Sequence, residues 1–140
     1  MGNSLSNKKA NYEDVQFAIK NSTSYLLINT LEASEQDCLL PNTINIQQEE
    51  KIINDLIQNV NKNVKIIIYG KNSSDEKVYK KMQQLTSLGF YNVYVYIGGM
   101  FEWLLLQDIY GDNEFPTTIK ELDILKYKPN KLFTMQLLQY

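Results

Sequence analysis

Few side chains in this 140-residue sequence can do covalent or acid–base chemistry near neutral pH. There is one cysteine, Cys38, no histidine and no arginine, so all fourteen basic side chains are lysines. Without imidazole there is no general base that titrates near neutrality and no His metal ligand; without guanidinium there is no bidentate clamp for phosphate or carboxylate. No metal or cofactor is therefore expected. A single cysteine cannot close an internal disulfide, which points to a reducing compartment. Cys38 lies in a polar segment before Pro41, beside Leu39 and Leu40, with no cationic neighbour in sequence to lower its pKa. It reads as a small, semi-buried apolar residue. The remaining candidate is the loop Gly70, Lys71, Asn72, Ser73, Ser74 and Asp75, which follows a β-branched run and precedes a helix. Loops at the carboxyl ends of parallel strands gather backbone N–H groups and bind anions or stabilise thiolates.

The elements that position this loop are legible from periodicity. Val64–Tyr69 is too short for a typical helix and apolar on both faces, as a strand inside a covered parallel sheet should be. Val78, Met82 and Leu85 then repeat at helical spacing until Gly89; Ser73 and Ser74 are expected to cap that helix, with Asp75 and Glu76 in its first turn. Upstream, Asn11 is placed to cap a helix over Tyr12–Lys20, and Tyr25–Ile28 forms a second buried strand closing at Asn29. A short extended piece is expected over Thr43–Ile46, then a helix over Glu49–Val60 with Ile52, Ile53, Leu56 and Ile57 on one side. Downstream, Asn92–Ile97 alternates Val and Tyr as a strand, with the tyrosines at 91, 94 and 96 expected to pack on alternate faces. Gly98–Gly99 leads into an apolar helix over Met100–Tyr110, from which Glu102 is expected to point outward. Pro116-Thr117-Thr118 is expected to open a further helical piece to Leu125, and Lys131–Tyr140 is apolar enough to pack back on the domain. Alternating helices and strands imply a parallel α/β sheet with right-handed crossovers.

Composition narrows the function classes. The length suits a single domain, and the 44% hydrophobic and 21% charged fractions are those of a globular chain able to bury a core. A net charge of −2 with scattered lysines lacks the basic stripe of a nucleic-acid surface. No apolar run approaches the roughly 20 residues of a membrane-spanning helix, and no secretory leader precedes the domain.

The ordered segments resemble the rhodanese-like domain family over roughly Tyr12 to Thr118. YLLIN stands where that family has a D-x-R strand, CLLPNTINI is similar to H-I-P-G-A-I-N-I, and IIIYG to a strand ending Y-C. LGFYNVYVYIGGMFEW is the most specific, resembling L-x-x-x-G-F-x-N-V-x-x-L-x-G-G-x-x-x-W, with Gly98, Gly99 and Trp103 at family spacing. The resemblance implies a single rhodanese-like α/β domain: a central parallel sheet of about four or five strands with helices on both faces. It also implies boundaries: an N-terminal tail over 1–10, the domain over 11–140, and an extension over 119–140.

The departures bear on activity. Active rhodaneses carry a persulfide on a loop cysteine in a cradle of N–H groups, often with an arginine closing the loop. The cysteine slot falls here on Gly70, or, counting back from Leu88-Gly89-Phe90, on Asn72 or Ser73; Asp75 stands where a common form of the loop has arginine. Asn29 and Leu31 match the upstream Asp and Arg, and Asn42 the segment's glycine. Sulfur transfer needs a polarizable thiolate, and a hydroxyl without a base is inert at neutral pH. The loop is accordingly expected to be a degenerate active site, a capped turn with at most millimolar-class affinity for sulfate or phosphate, because Asp75 and Glu76 compete for the N–H groups an anion would use.

The N-terminus Met1-Gly2-Asn3-Ser4-Leu5-Ser6 fits M-G-x-x-x-[ST], making Gly2 an expected N-myristoylation site. One such chain gives only marginal, reversible membrane binding. Lys8 and Lys9 add about 1 kcal/mol each near an anionic leaflet. The expected protein is a catalytically inactive, cytoplasmic module attached reversibly to membranes through the myristoyl group, which binds an unidentified protein partner or an anion. An active sulfurtransferase or rhodanese-related phosphatase and a structural subunit of a larger assembly are the rival readings; oligomeric state is not legible.

Overall fold

The structure, a computed structural model, describes residues 7–133. Gly2 and most of the apolar stretch 131–140 lie outside them. The elements run β1 (Lys9–Ala10), α1 (Tyr12–Lys20), β2 (Tyr25–Asn29), a 3-10 turn (Ala33–Glu35), α2 (Glu49–Gln58), β3 (Lys65–Tyr69), α3 (Lys77–Ser87), β4 (Val93–Tyr96), α4 (Gly99–Tyr110) and a second 3-10 turn (Ile124–Tyr127). All pairings are parallel, in the order β1-β4-β3-β2. Lys9 and Ala10, read from the sequence as part of the tail, form the edge strand β1 and pair with Val95 and Tyr96. The extended piece expected at Thr43–Ile46 shrinks to one parallel bridge between Thr43 and Leu27.

Strand periodicity divides the core into two layers. Leu27, Ile67, Tyr69 and Tyr96 face α1 and α4, where they bury Val15, Ala18, Met100, Trp103 and Leu104. Ile28, Ile66, Ile68, Val93 and Val95 face α2 and α3, packing on Ile53, Val78 and Leu85. Every residue of Ile66–Tyr69 is 2% exposed or less, the signature of a central strand covered on both sides. Tyr94 and Tyr96 share the α1/α4 face, since a strand repeats every second residue; only the valines between them alternate. The α1 cap forms as a reciprocal box, with the Asp14 N–H donating to Asn11 Oδ1 and the Asn11 N–H to Asp14 Oδ2.

The helix expected from Pro116 to Leu125 does not form; only Ile124–Tyr127 winds, as a 3-10 turn. The segment's polar groups find partners elsewhere in the fold instead of along a helix. Thr118 N–H donates to Leu39 O at 2.8 Å and its Oγ1 to Asp37 O at 2.7 Å. Trp103 Nε1 donates to Pro116 O, and Gln107 Nε2 to Phe115 O. This clamp holds the 36–40 segment and buries Cys38 to 2% exposure, with its thiol against Ile119 O at 3.5 Å.

Asn42, where the resembling family has glycine, has φ 68°, a left-handed conformation that asparagine tolerates. Val60, just past the C-cap of α2, also has positive φ, 53°, and is 82% exposed. Its N–H donates to Ile57 O and the Asn61 N–H to Leu56 O, closing the helix as a glycine ordinarily would. A β-branched residue is strained there and contributes little burial in return. Val60→Gly is expected to raise the unfolding free energy by about 1 kcal/mol; a urea midpoint unchanged or lowered relative to wild type would contradict this.

Candidate functional site

Strand β3 ends at Tyr69, and the chain turns through Gly70–Glu76 before α3 begins at Lys77. Two features hold this turn from outside. The first is the N-terminus of α4, where Met100 N–H donates to Gly70 O at 3.0 Å and Phe101 N–H to Lys71 O at 2.9 Å. Gly99 has φ 64°, and a Cβ there would lie 2.7 Å from Gly70 O and 2.9 Å from Asn72 N. Only glycine lets the two backbones approach so closely, which is what the Gly98-Gly99 pair does for the fold. The second is the chain after α4: Asn72 Nδ2 donates to Tyr127 O at 2.9 Å, and Tyr127 is 1% exposed in the α1/α4 core.

From inside, the turn is organised by Asp75. Its Oδ2 accepts from Lys71 N–H at 3.0 Å and from Thr30 Oγ1 at 3.1 Å, and its Oδ1 accepts from Lys77 N–H at 3.0 Å. Asn72 Oδ1 takes the Ser74 N–H at 2.9 Å, and Asn72 O takes the Asp75 N–H at 3.2 Å. The carboxylate thus occupies N–H groups at the start of the loop and at the start of α3. Ser73 and Ser74, expected as caps, are exposed. Asp75 performs the capping because α3 starts later than expected, with no side-chain bond from its N-cap residue, Glu76. At Gly70, an added Cβ would lie 2.7 Å from Thr30 Oγ1 and closer still to Asp75 Oδ2. The loop conformation leaves no room for a cysteine side chain at that position unless Asp75 moves.

The surroundings balance their charge. Lys71 pairs with Glu35 at 2.9 Å and Lys77 with Glu32 at 2.7 Å, tying the loop to the 3-10 turn after β2. Burial alone would raise the Glu35 pKa, but the hydrogen bonds from Lys71 and from the Glu32 backbone hold it below the usual carboxylate value. A depression of about 270 Å³ over the loop is bordered by Glu32, Glu35 and Asp75 on one side of the ledger and Lys71, Lys77 and Lys128 on the other. Three acids against three lysines give no net positive field to attract an anion. Asn29, buried at 3%, is satisfied as a neutral amide: Oδ1 accepts from Leu31 N–H and Gln36 Nε2, and Nδ2 donates to Gln36 Oε1.

Cys38 lies in the α1/α4 core, and burial pushes its thiol pKa up, opposite to what a nucleophile needs. Glu102 is exposed as expected, yet it accepts the phenolic hydrogen of buried Tyr96, whose pKa burial and this bond both raise. Among the described residues no cluster of His, Cys, Asp and Glu could hold a metal ion. Sequence reasoning missed Thr30, Glu35 and Tyr127, whose contacts with the loop span 36 to 55 residues of chain; no local pattern signals such partners.

The chain belongs to the rhodanese-like domain family, which matches residues 12–106. The search of curated proteins gives no match. Solved structures share the fold. A rhodanese-like domain from an Anabaena protein is 19% identical with TM-score 0.56, covering 91% of this chain and 88% of its own. A Bacillus halodurans protein is 20% identical with TM-score 0.57, covering 86% and 89%. The single-domain sulfurtransferase RDL2 of Saccharomyces cerevisiae is 17% identical with TM-score 0.55, covering 74% and 93%.

Removing the Asp75 carboxylate strands the N–H groups of Lys71 and Lys77 and the Thr30 hydroxyl. Asp75→Ala is expected to cost about 2 kcal/mol of stability, the scale of hydrogen bonds to a charged acceptor, and Asp75→Asn less. Urea denaturation measures it; an alanine variant as stable as wild type would show that the carboxylate does not organise the loop.

Proposed function

We propose that this protein is a rhodanese-like module without sulfurtransferase or phosphatase activity, N-myristoylated at Gly2 and reversibly attached to membranes, which acts by binding a protein partner. The observation that carries the inactive reading is the Asp75 carboxylate, which accepts hydrogen bonds from the loop's own N–H groups, those an anionic group would otherwise use. No thiolate is available to form the covalent intermediate, and the buried Cys38 is held as a neutral thiol. The same carboxylate, with the balanced lysines and acids around it, favours protein binding over anion binding as the role of this module. Among the described residues no helix is long and apolar enough to cross a membrane, so attachment rests on the acyl group.

Thiosulfate-to-cyanide sulfur transfer and aryl-phosphate hydrolysis are expected to stay at background in wild type. Gly70→Cys alone should not restore them, because the new side chain collides with Asp75 and no arginine is present. Turnover in wild type that disappears in Cys38→Ser would overturn the inactive reading.

Membrane attachment is tested separately. Intact mass of protein from eukaryotic cells should show an addition of about 210 Da, the fourteen-carbon acyl group implied by the motif. Gly2→Ala should remove it and shift the protein from the membrane fraction to the cytosol. An unmodified wild-type mass would sink the acylation reading.

A further inference from the structure

Resting on the acylation reading, we propose that the acyl chain on Gly2 has a second resting place in this protein, a groove between α3 and the β1–β4 edge, so that membrane attachment competes with self-docking. The groove measures about 760 Å³. Its floor and walls include Met82 on α3, Phe90 in the turn after it and Val93 on β4, with Tyr79 and Tyr91 at its rim. Phe90 and Val93 are buried at 1% and 2%, whereas Tyr79 and Tyr91 are 37% and 60% exposed. The site is thus an apolar trough open to solvent between aromatic walls, suited to a flexible hydrocarbon chain and offering no cluster of charge to a polar ligand.

The course of the chain selects this occupant over others. Lys8 lines the same groove. Its Nζ donates to Tyr91 O at 2.8 Å and lies 5.0 Å from the Tyr94 ring centroid, and the next residues, Lys9 and Ala10, are fixed by pairing with Val95 and Tyr96. Lys8 thus fixes a point on the groove to which Gly2 is tethered by a short stretch of chain, while Asn7 lies against the α1 side of the same edge. Five residues lie between Gly2 and Lys8, a reach of up to roughly 20 Å, so a fourteen-carbon chain on Gly2 has the tether it needs to enter the groove. A single myristoyl chain holds a bilayer only marginally, so a protein groove offering comparable apolar burial competes with it effectively.

The full chain, coexpressed with an N-myristoyltransferase and checked by intact mass, is compared by NMR with its Gly2→Ala counterpart. The Met82 methyl and the amides of Gly89, Phe90, Tyr91 and Val93 are expected to shift in the acylated chain, independently of protein concentration. Thr86→Trp, an exposed α3 position lining the groove, should fill it and raise binding of the acylated chain to neutral phosphatidylcholine vesicles several-fold. A chain of unmodified mass defeats the acylation reading and this inference with it. An acylated chain whose groove signals match those of Gly2→Ala overturns this inference alone. Shifts that grow with concentration in both chains overturn it in favour of a second copy in the groove, and vesicle binding unchanged by Thr86→Trp counts equally against self-docking.

Discussion

The approach of Gly99 to the backbone of Gly70 and Asn72 is the constraint on which the site depends. At that distance the first N–H groups of α4 reach the carbonyls of Gly70 and Lys71, so a helix N-terminus is satisfied by a loop and the loop is fixed by a helix. Any side chain at residue 99 would part them. The same contact sets the entry of α4, whose Met100, Trp103 and Leu104 pack into the α1/α4 layer of the core. Trp103 is packed edge-on by Tyr96 and Phe115, and its indole N–H is bonded to Pro116 O, which continues the core into the chain beyond α4.

Within that frame, Asp75 gives the loop an internal solution to a problem that an open anion site solves with a ligand. Backbone N–H groups converging at a helix start must be satisfied by something negative or by water. Here a carboxylate from the same turn meets them, steadied by Thr30 at the end of the neighbouring strand. The glycine at 70 belongs to the same arrangement, because the space a side chain would need is taken by Asp75 and Thr30. The glycine at 70 and the carboxylate at 75 are thus two aspects of one packing solution.

Most of the layer architecture could be read from local sequence. The Ile66–Ile68 run, the Val and Tyr alternation at 93–96 and the Ile52, Ile53, Leu56, Ile57 stripe reported their strands and helix because burial on a regular element imposes a period on nearby residues. The competition of Asp75 for loop N–H groups was likewise legible, since it depends on spacing within six residues. What escaped was whatever depends on distant chain. The segment from Pro116 resembled a helix start, but its polar groups bond to residues 37 and 39, some eighty positions away. The serines resembled caps, but the carboxylate one step beyond them takes that role. Lys9 and Ala10 carried no strand signal of their own, since two residues show no period and their order comes wholly from β4.

Tyr127 closes the α1/α4 layer from a position late in the chain, and this bears on the order of folding. Its carbonyl holds Asn72 across 55 residues, the thiol of Cys38 meets Ile119 across 81, and Lys8 reaches Tyr91 across 83. Contacts of such separation pay their loop-closure entropy before they return any stability, which slows the crossing to the native state. A chain growing from its N-terminus can assemble the α2/α3 layer once β4 has emerged, because that layer draws on nothing beyond residue 95 among its buried residues. The opposite layer is completed only when residue 127 is free to dock. During synthesis the two faces of one sheet are therefore finished at different times, the α2/α3 face first.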